Sequence, residues 1–262
     1  MTTVFNFTHA ILRRPGASVV KGLRAGGGPD PDLSDVLAEH AAYAAALRDA
    51  GLELTVLDPL DAFPDAIFVE DPALVFPDAA IVLKPGAPSR EAEGEYLRPA
   101  LAEHFDRVID PPGGHADGGD VLVLPDRVLV GLSARTDRAG AAALCEVLGS
   151  LGYRAEVAET PDSVLHLKTA SSLLDEETVL STRELAATGI FADYRVITVP
   201  EGEEGGANVL RVNDRVLAGA GHARVLDLLD RHGLNVVPLA NSAIAAIDAG
   251  FTCMSLRWAS KR

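Results

Sequence analysis

The hydrophobic and polar positions of this chain form a unit that recurs four times. Each unit opens with a polar residue, continues as a short apolar strand, and turns through a polar or proline-containing tight turn into a second strand. A loop of small residues, a helix and a third strand complete the unit. The units open at Asp71, Asp120, His166 and Asn208, at intervals of 42 to 49 residues. A looser unit of strand, long helix and strand precedes them.

This pattern predicts the bounds of the main elements. The predicted helices cover residues 33–50, 91–104, 138–150, 182–188 and 223–232, and the predicted final strands begin at Leu52, Asp106, Tyr153, Tyr194 and Asn235. No segment has the composition of a linker between domains, so we expect one α/β domain over residues 1–262.

The length of the units is typical of propellers and other closed radial arrays. In a propeller, the first strand of every unit lies near the central axis, so the four residues that open the units would surround a pocket. A doubly wound α/β sheet contains similar β-rich blocks, and the periodicity alone leaves that architecture open.

Composition narrows the functional classes. The formal net charge of −15 argues against nucleic acid or an anionic membrane surface as a partner. Two cysteines without Cys-x-x-Cys spacing give neither a disulfide framework nor a zinc ribbon, and they favour a reducing compartment. The first residues do not resemble a signal peptide, and no apolar run is long enough to span a membrane. We therefore expect a cytoplasmic protein.

Cys253 is the strongest candidate nucleophile. It follows Gly250, which permits a sharp backbone turn, and lies five residues after Asp248 in the run IDAGFTCMSL. A lone cysteine is more often a small buried apolar residue, and Cys145, in an Ala/Leu-rich helix, fits that description. A useful thiolate needs a base, an orienting carboxylate and a pocket that holds little water.

A histidine and a glycine-rich loop supply candidates for the other parts. Strand alternation in VLHLKT would place His166 and Lys168 on one face, and His166 is a candidate general acid or base. In GGHADGGD, two glycines separate Asp117 from Asp120 and allow close approach of the backbone to a ligand. His115 beside these aspartates suggests a metal site, but no second cluster has ligand spacing, so we expect no metal.

Three carboxylates surround a short predicted apolar strand in the run FPDAIFVEDP. They are Asp65, Glu70 and Asp71. Adjacent carboxylates usually lie in a solvated turn. Beside a pocket, they would instead bind a planar cation, because the donors of a guanidinium match the geometry of carboxylate oxygens.

The runs FPDAIFVEDPA, HADGGDVLV, VLHLKTASSLL and IDAGFTCMSLRW resemble those of the dimethylarginine dimethylaminohydrolases, members of the guanidine-modifying pentein, or amidinotransferase, superfamily. The resemblance extends from about Ala10 to Trp258. It implies a five-bladed α/β propeller of ββαβ units. It also implies hydrolysis of asymmetric dimethylarginine or monomethylarginine to citrulline and a methylamine, through a covalent amidino intermediate on Cys253 and without a cofactor.

The resemblance implies roles for individual residues. Cys253 matches the nucleophile, His166 the general acid and base, and Asp117 the carboxylate that hydrogen-bonds the histidine, where some members have Glu. The residues that match substrate contacts are Leu23 in a flexible lid loop, Asp65 for the α-amino group, Glu70 and Asp71 for the guanidinium, Arg90 and Arg135 for the α-carboxylate, and Ile247 for a backbone contact, with Asp248 beside it. The expected partner is a small cationic amino acid.

Two other functions stay open from the sequence. The first is an arginine deiminase-like hydrolase of free arginine or another guanidine. Related deiminases generally have a carboxylate two residues after the histidine, where this chain has Lys168, and tend to have Arg-Asp where it has Glu70-Asp71. The second is a non-catalytic binder of arginine-like cations. The sequence does not decide between a monomer and a homodimer, and the Gly/Pro-rich stretch 24–35, longer than in some members, leaves the shape of the lid open.

Overall fold

The fold consists of five three-stranded sheets that form the blades of an α/β propeller. The structure, a computed structural model, describes residues 4–260; the outer bounds of the predicted domain, residues 1 and 262, lie outside that range. In chain order the strands are β1 (His9–Arg13), β2 (Glu53–Leu57), β3 (Ala73–Phe76), β4 (Ala79–Val82), β5 (Val108–Ile109), β6 (Val121–Val123), β7 (Val128–Leu132), β8 (Ala155–Glu159), β9 (Ser171–Leu173), β10 (Thr178–Ser181), β11 (Arg195–Thr198), β12 (Leu210–Val212), β13 (Arg215–Gly219), β14 (Asn235–Leu239) and β15 (Leu256–Trp258).

Helices connect the second and third strands of the blades. The α-helices are α1 (Leu33–Asp49), α2 (Arg98–His104), α3 (Arg138–Ser150), α4 (Arg183–Ala186), α5 (Ala223–Arg231) and α6 (Ser242–Ala245), and the 3₁₀ helices are Ala17–Lys21, Glu93–Tyr96, Gly118–Asp120, Leu167–Thr169 and Glu204–Ala207. Side chains cap several of these helices. The carboxylates of Asp32 and Asp137 accept hydrogen bonds from Ser34 N and Gly140 N, at the starts of α1 and α3.

Every blade has the same pairing. The first strand runs antiparallel to the middle strand, and the middle strand runs parallel to the third, as in the order β6-β7-β8. The last blade is built from both ends of the chain, because β15 pairs with β1 and places Leu256 opposite Ile11, while β1 pairs with β2. The repeat and the five-bladed propeller expected from the sequence are thus confirmed.

The first strand of each blade borders a cavity on the propeller axis. Residues of β3, β6, β9, β12 and β15 all line this cavity of about 450 Å³, which we call the axial cavity. Contacts between β15 and β3 and between β12 and β9 bring the first strands of different blades together. The short segments that lead into these strands therefore converge, and they carry Asp71, Asp117, His166 and Cys253 of the candidate site.

Two predicted helices differ from the structure. The helix predicted over 91–104 is a 3₁₀ turn followed by α2, because Gly94 packs against the backbone of Leu83 and Pro99 begins a new helix near its first turn. The helix predicted over 182–188 is only the four-residue α4. The helices predicted over 33–50, 138–150 and 223–232 agree with α1, α3 and α5 to within one residue at either end.

Two predicted strands are turns. The segment from Phe63 to Asp71 is a series of turns in which Phe68 N donates to Asp65 O and Asp71 N donates to Phe68 O. His166 is extended but enters the 3₁₀ turn at once, with Thr169 N donating to His166 O. Within residues 4–260, no helix has both the length and the apolar character required to cross a membrane.

Candidate active site

A small pocket gathers most of the predicted site residues. Its lining consists of Leu23, Asp65, Phe68, Asp71, Arg90, Arg135, Leu165, His166, Ile247, Asp248, Ala249 and Cys253. Asp117 and Glu70 are the predicted residues absent from this lining. Phe68, Leu165 and Ala249 were not predicted, although each lies within three residues of a predicted one, in runs that carry the family resemblance.

Cys253 lies in a turn that Asn208 holds in place. The side-chain amide of Asn208 accepts from Thr252 N at 3.2 Å and donates to Thr252 Oγ1 at 3.1 Å and to Lys168 O at 2.8 Å. A Cβ atom on Gly250 would lie 2.3 Å from Asn208 Cγ, so this close approach requires glycine. Asn208, which opens the fourth repeat, thus connects the cysteine loop to the segment that carries His166.

His166 is hydrogen-bonded to Asp117 in the interior. His166 Nε2 lies 3.0 Å from Asp117 Oδ2, and the fully buried Asp117 also accepts a hydrogen bond from Gly86 N at 2.8 Å. This carboxylate orients the ring and leaves Nδ1 as the nitrogen able to exchange a proton with a ligand. The predicted contact between the two side chains is present.

The two glycines between Asp117 and Asp120 allow the loop to pack tightly. A Cβ atom on Gly118 would lie 2.0 Å from Glu70 O, and one on Gly119 would lie 2.7 Å from His166 Nδ1. The glycines therefore permit contact with other segments of the site, in a loop where the sequence predicts close approach to a ligand.

The two reactive side chains have strongly shifted pKa values. Burial alone would lower the pKa of His166, but the hydrogen bond to Asp117 and the charges of Asp71 and Asp120 raise it to about 9. Burial, followed by the charges of Asp71 and Glu70, raises the pKa of Cys253 to about 12. At neutral pH the ligand-free site therefore holds an imidazolium and a neutral thiol.

These shifts predict a slow and pH-dependent alkylation of the free protein. The thiolate is the reactive form, so the rate of modification of Cys253 by iodoacetamide should rise about tenfold per pH unit between about pH 8 and pH 11. Mass spectrometry of the modified peptide would measure this rate separately from that of Cys145. A rate that levels off near neutral pH would contradict the high thiol pKa.

Asp71 is a buried carboxylate in the lining of the pocket, near enough to Cys253 for its charge to raise the pKa of the thiol. Its Oδ1 accepts from Gly119 N at 3.2 Å, and its Oδ2 accepts from Arg90 Nη1. Burial opposes ionisation of Asp71, but the charges of Arg90 and His166 outweigh it and lower the pKa of Asp71. Asp71 is therefore an anion on the wall beside Cys253.

The guanidinium of Arg90, which we expect to bind an α-carboxylate, already makes several hydrogen bonds within the protein. Its guanidinium donates to Asp71, to both oxygens of Glu93 and to the carbonyls of Asp65 and Phe68. Contact with an α-carboxylate would therefore have to share this buried cation with Asp71 and Glu93. Arg135, by contrast, is half-buried, and across residues 4–260 its guanidinium makes no hydrogen bond or ion pair.

The segment around Leu23 covers the pocket. Leu23 N donates to Asp65 Oδ1 at 2.9 Å, and Ala25 N donates to the carboxylate of Asp248. Asp248 has a left-handed backbone with φ of 57°, a conformation that costs a residue other than glycine about 1 kcal/mol or more. The pocket has a volume of about 30 Å³, which is room for about one water, so part of its lining must move before an amino acid can enter.

Glu70 faces away from the pocket. Its Oε1 accepts from Lys168 Nζ at 2.7 Å and from Arg257 Nη2 at 2.8 Å, and both Glu70 and Lys168 line the axial cavity instead. The expectation that His166 and Lys168 share one face is wrong, because the turn after His166 directs Lys168 to the other side. Asp71, but not its neighbour Glu70, therefore reaches the pocket wall.

Among residues 4–260, one cluster has the spacing to hold a metal ion. It consists of Asp71, Asp117 and His166. Each of them already has protein partners. Asp71 is bound by Arg90, and Asp117 is hydrogen-bonded to both Gly86 N and His166. The arrangement of a thiol, an imidazolium and a buried carboxylate beside it suits nucleophilic attack with acid–base assistance.

Comparisons with known proteins agree with this geometry. Residues 96–204 match the family model of arginine deiminase. A dimethylarginine dimethylaminohydrolase of Pseudomonas aeruginosa is 35% identical over 96% of this chain and its own full length, and one of Streptomyces coelicolor is 34% identical over 95% and 96%.

Solved structures extend the comparison to the fold. A cysteine-to-serine mutant of the P. aeruginosa enzyme, in complex with citrulline, superposes with a TM-score of 0.93 over 97% of this chain and 100% of that chain. The N-terminal domain of ArgZ, a cyanobacterial arginine dihydrolase, is 15% identical with a TM-score of 0.86 over 96% and 97% of the two chains, and thus shares the fold.

The five-bladed α/β propeller and its buried cysteine and histidine define the class as a guanidine-modifying enzyme of the pentein type. Within that class, the chain belongs to the dimethylarginine dimethylaminohydrolase family.

Proposed function

We propose that this protein hydrolyses N-ω-methylated arginine to citrulline and a methylamine through a covalent intermediate on Cys253. The observation that carries the proposal is the convergence of Cys253, His166 and Asp71 on one pocket, with Asp117 behind the histidine. The P. aeruginosa relative that binds citrulline shares this fold along the whole chain.

In the first stage, the cationic substrate lowers the thiol pKa of Cys253, and the thiol releases its proton to solvent. The sulfur attacks the guanidinium carbon and forms a C–S bond. As the C–N bond to the methylated nitrogen breaks, His166 gives that nitrogen a proton, and a neutral methylamine leaves. The product of this stage is a cationic amidino thioether on Cys253 beside neutral His166.

In the second stage, the neutral His166 takes a proton from water. The resulting hydroxide adds to the amidino carbon, the C–S bond breaks, and the electron pair returns to sulfur. The protonated citrulline passes its surplus proton to the Cys253 thiolate, which restores the neutral thiol, and citrulline then leaves. Asp117 stabilises the imidazolium in both stages, and Asp71 holds the planar carbon in line with the sulfur, so that orientation and charge placement lower the barrier.

We assign the other substrate contacts from the charge of each side chain and its position in the pocket. Asp65 and the backbone near Leu23 would receive the α-amino group, and Arg135 would receive the α-carboxylate together with Arg90. Ile247 and Asp248 would contribute to the wall nearest Cys253. The guanidinium contact that we expected from Glu70 is assigned to Asp71 alone, since Glu70 is engaged by Lys168 and Arg257.

The test is citrulline release from asymmetric dimethylarginine and from arginine in parallel, with Cys253→Ser as the blank. We expect turnover of the methylated substrate in the wild-type protein and none in the blank. Turnover of neither substrate would overturn the proposal.

A second candidate is hydrolysis of unmethylated arginine, which the match of residues 96–204 to the arginine deiminase model favours. Lys168 stands where related deiminases carry a carboxylate, and it is paired with Glu70 on the far side of the turn. A second carboxylate for an unsubstituted guanidine nitrogen is thus missing at this position. Faster release of citrulline from arginine than from dimethylarginine would favour the second candidate.

The activity predicts a rise of kcat/KM with pH that ends near pH 9. His166 must carry a proton to assist departure of the amine, and its pKa is raised to about 9, whereas the Cys253 thiol, whose pKa is raised to about 12, must lose its proton to attack. Below about pH 9 the imidazolium is present and the thiolate fraction grows, so we expect kcat/KM to rise by about tenfold for each pH unit. Above about pH 9 the loss of imidazolium offsets the gain in thiolate, and kcat/KM should level off. A pH profile measured under conditions in which the folded protein persists would check this. A rise that ends near pH 6.5, the usual value for histidine, would contradict it.

We further propose that the protein works in the cytoplasm, as its charge and its two unpaired cysteines suggest. Its existence as a monomer or as a homodimer is a separate question, which sedimentation of the purified protein would answer.

A further inference from the structure

Asp120 is a buried carboxylate that the reaction does not use. Its side chain is absent from the lining of the pocket, and the residue is fully buried. Burying an ionisable group is costly, and neutral or apolar residues often stabilise a core equally well. The contacts of Asp120 indicate what this carboxylate does.

One oxygen of Asp120 holds the backbone next to the histidine. Oδ1 accepts a hydrogen bond from Leu167 N at 2.9 Å, at the peptide directly after His166. This contact fixes the point at which the extended backbone of His166 enters the 3₁₀ turn, and with it the direction of the imidazole.

The other oxygen of Asp120 reaches the partner of the histidine through a hydroxyl. Thr136 Oγ1 and Ser133 Oγ both donate to Oδ2 at 2.6 Å, and Thr136 Oγ1 also accepts from Asp117 N at 3.1 Å. Because the carboxylate can only accept, it takes the hydroxyl proton and leaves a lone pair of Thr136 for Asp117 N. Asp120 N also donates to Asp117 O at 3.0 Å, which closes the turn between the two aspartates.

We propose that Asp120 is a positioning residue that sets the geometry of the His166–Asp117 pair from behind the pocket. It is bound to both members by separate hydrogen-bonded arms, one through Leu167 N and one through Thr136. The role rests on the proposed hydrolysis for its kinetic consequence, but the geometry of the pair exists without substrate.

The first test is Asp120→Asn, which keeps the shape and Oδ1 while it replaces the acceptor that faces Thr136 with an amide donor. We expect kcat for dimethylarginine to fall by about 10- to 100-fold, as for other residues that orient a reactive group, with KM within about threefold. Thr136→Val removes only the hydroxyl that links Asp120 to Asp117 and should lower kcat by a smaller factor. Thr136→Ser keeps a hydroxyl and should restore wild-type kcat. Asp175→Asn is the matched control, since Asp175 is half-buried and, among residues 4–260, its carboxylate accepts a hydrogen bond from Glu177 N alone.

A second measurement separates positioning from general stability. His166 faces the three carboxylates of Asp71, Asp117 and Asp120, so removal of the charge of Asp120 should lower the pH at which the ring titrates in NMR spectra. His166→Gln would assign the signal, and thermal unfolding would identify variants that do not fold. If Asp120→Asn does not fold, the comparison of Thr136→Val with Thr136→Ser tests the inference instead.

These outcomes distinguish the inference from the proposed function. If the wild type released no citrulline, the proposed function would fail, and the His166 titration would still test the role of Asp120. Wild-type kcat and an unchanged His166 titration in folded Asp120→Asn would overturn the inference. So would equal kcat values for Thr136→Val and Thr136→Ser.

Discussion

Replacing Cys253 with serine should lower kcat for dimethylarginine by about 10⁴-fold or more, the scale seen when a catalytic nucleophile is removed. A serine hydroxyl at this position would have to attack without an adjacent free base, because His166 is already protonated at neutral pH. Binding should change much less, since the charged groups of Asp71 and Arg135 remain in place. Citrulline release measures kcat, and isothermal titration with citrulline measures binding.

The matched control for this prediction is Cys145→Ser. Cys145 is half-buried on α3 and packs beside the core near Leu148, away from the lining of the pocket. The Cys145→Ser variant should retain wild-type kcat. A Cys253→Ser protein with more than about 1% of wild-type kcat would show that the sulfur is not the nucleophile.

Replacing His166 with glutamine should lower kcat by about 10³- to 10⁴-fold, because the proposed mechanism uses this side chain as acid in the first stage and as base in the second. The first stage needs an acid and the second needs a base, so a suitable substrate can separate the two effects of this substitution. An S-alkyl thiocitrulline has a thiolate leaving group that needs no proton, so its first stage should survive. The second stage still needs a base, and the amidino adduct on Cys253 should therefore accumulate.

Mass spectrometry of His166→Gln after mixing with such a thiocitrulline would detect the adduct. Asp117→Asn is the matched variant, because it keeps the shape beside His166 and removes the carboxylate charge that accepts from Nε2. It should turn over slowly without a long-lived adduct. Rapid hydrolysis of the adduct in His166→Gln would assign the base of the second stage to another group.

The repeat predicted the fold well because each blade is a local unit. The polar residue, the paired apolar strands and the helix of one blade lie close together in sequence, so the pattern carries the information. Asp71 and His166 were recognised in the same way, as polar residues at the openings of buried strands. The joining of β15 to β1 depends on segments from opposite ends of the chain, which no local pattern records.

Side-chain directions inside the turns were the part that the sequence could not supply. Glu70 and Asp71 are neighbours, and one points to Lys168 while the other faces the pocket, so the two carboxylates do not act together as the resemblance implies. His166 and Lys168 are two positions apart and lie on different sides, because the turn after His166 lacks the strict alternation of a strand. The occupation of Arg90 by Glu93 follows from a 3₁₀ turn that the predicted helix did not contain.

Asn208 and Asp120 illustrate a third limit. The repeat predicts that both lie around the pocket. Both are instead buried behind it, where they form hydrogen bonds with the loops of other blades. Their partners, Thr252 and Leu167, are more than 40 positions away, and pairing over such distances becomes visible only when the blades are assembled.

The shared last blade also has a consequence for synthesis of the protein. Cys253 lies three residues before β15, and β15 must pair with β1 to complete that blade. The blades from β3 to β14 use no strand of the shared blade, so we expect a nascent chain to be able to assemble them before Cys253 leaves the ribosome. The proposed nucleophile would then meet His166 only after β15 has paired with β1, and an incomplete chain would carry the proposed acid and base without the group proposed to attack the substrate.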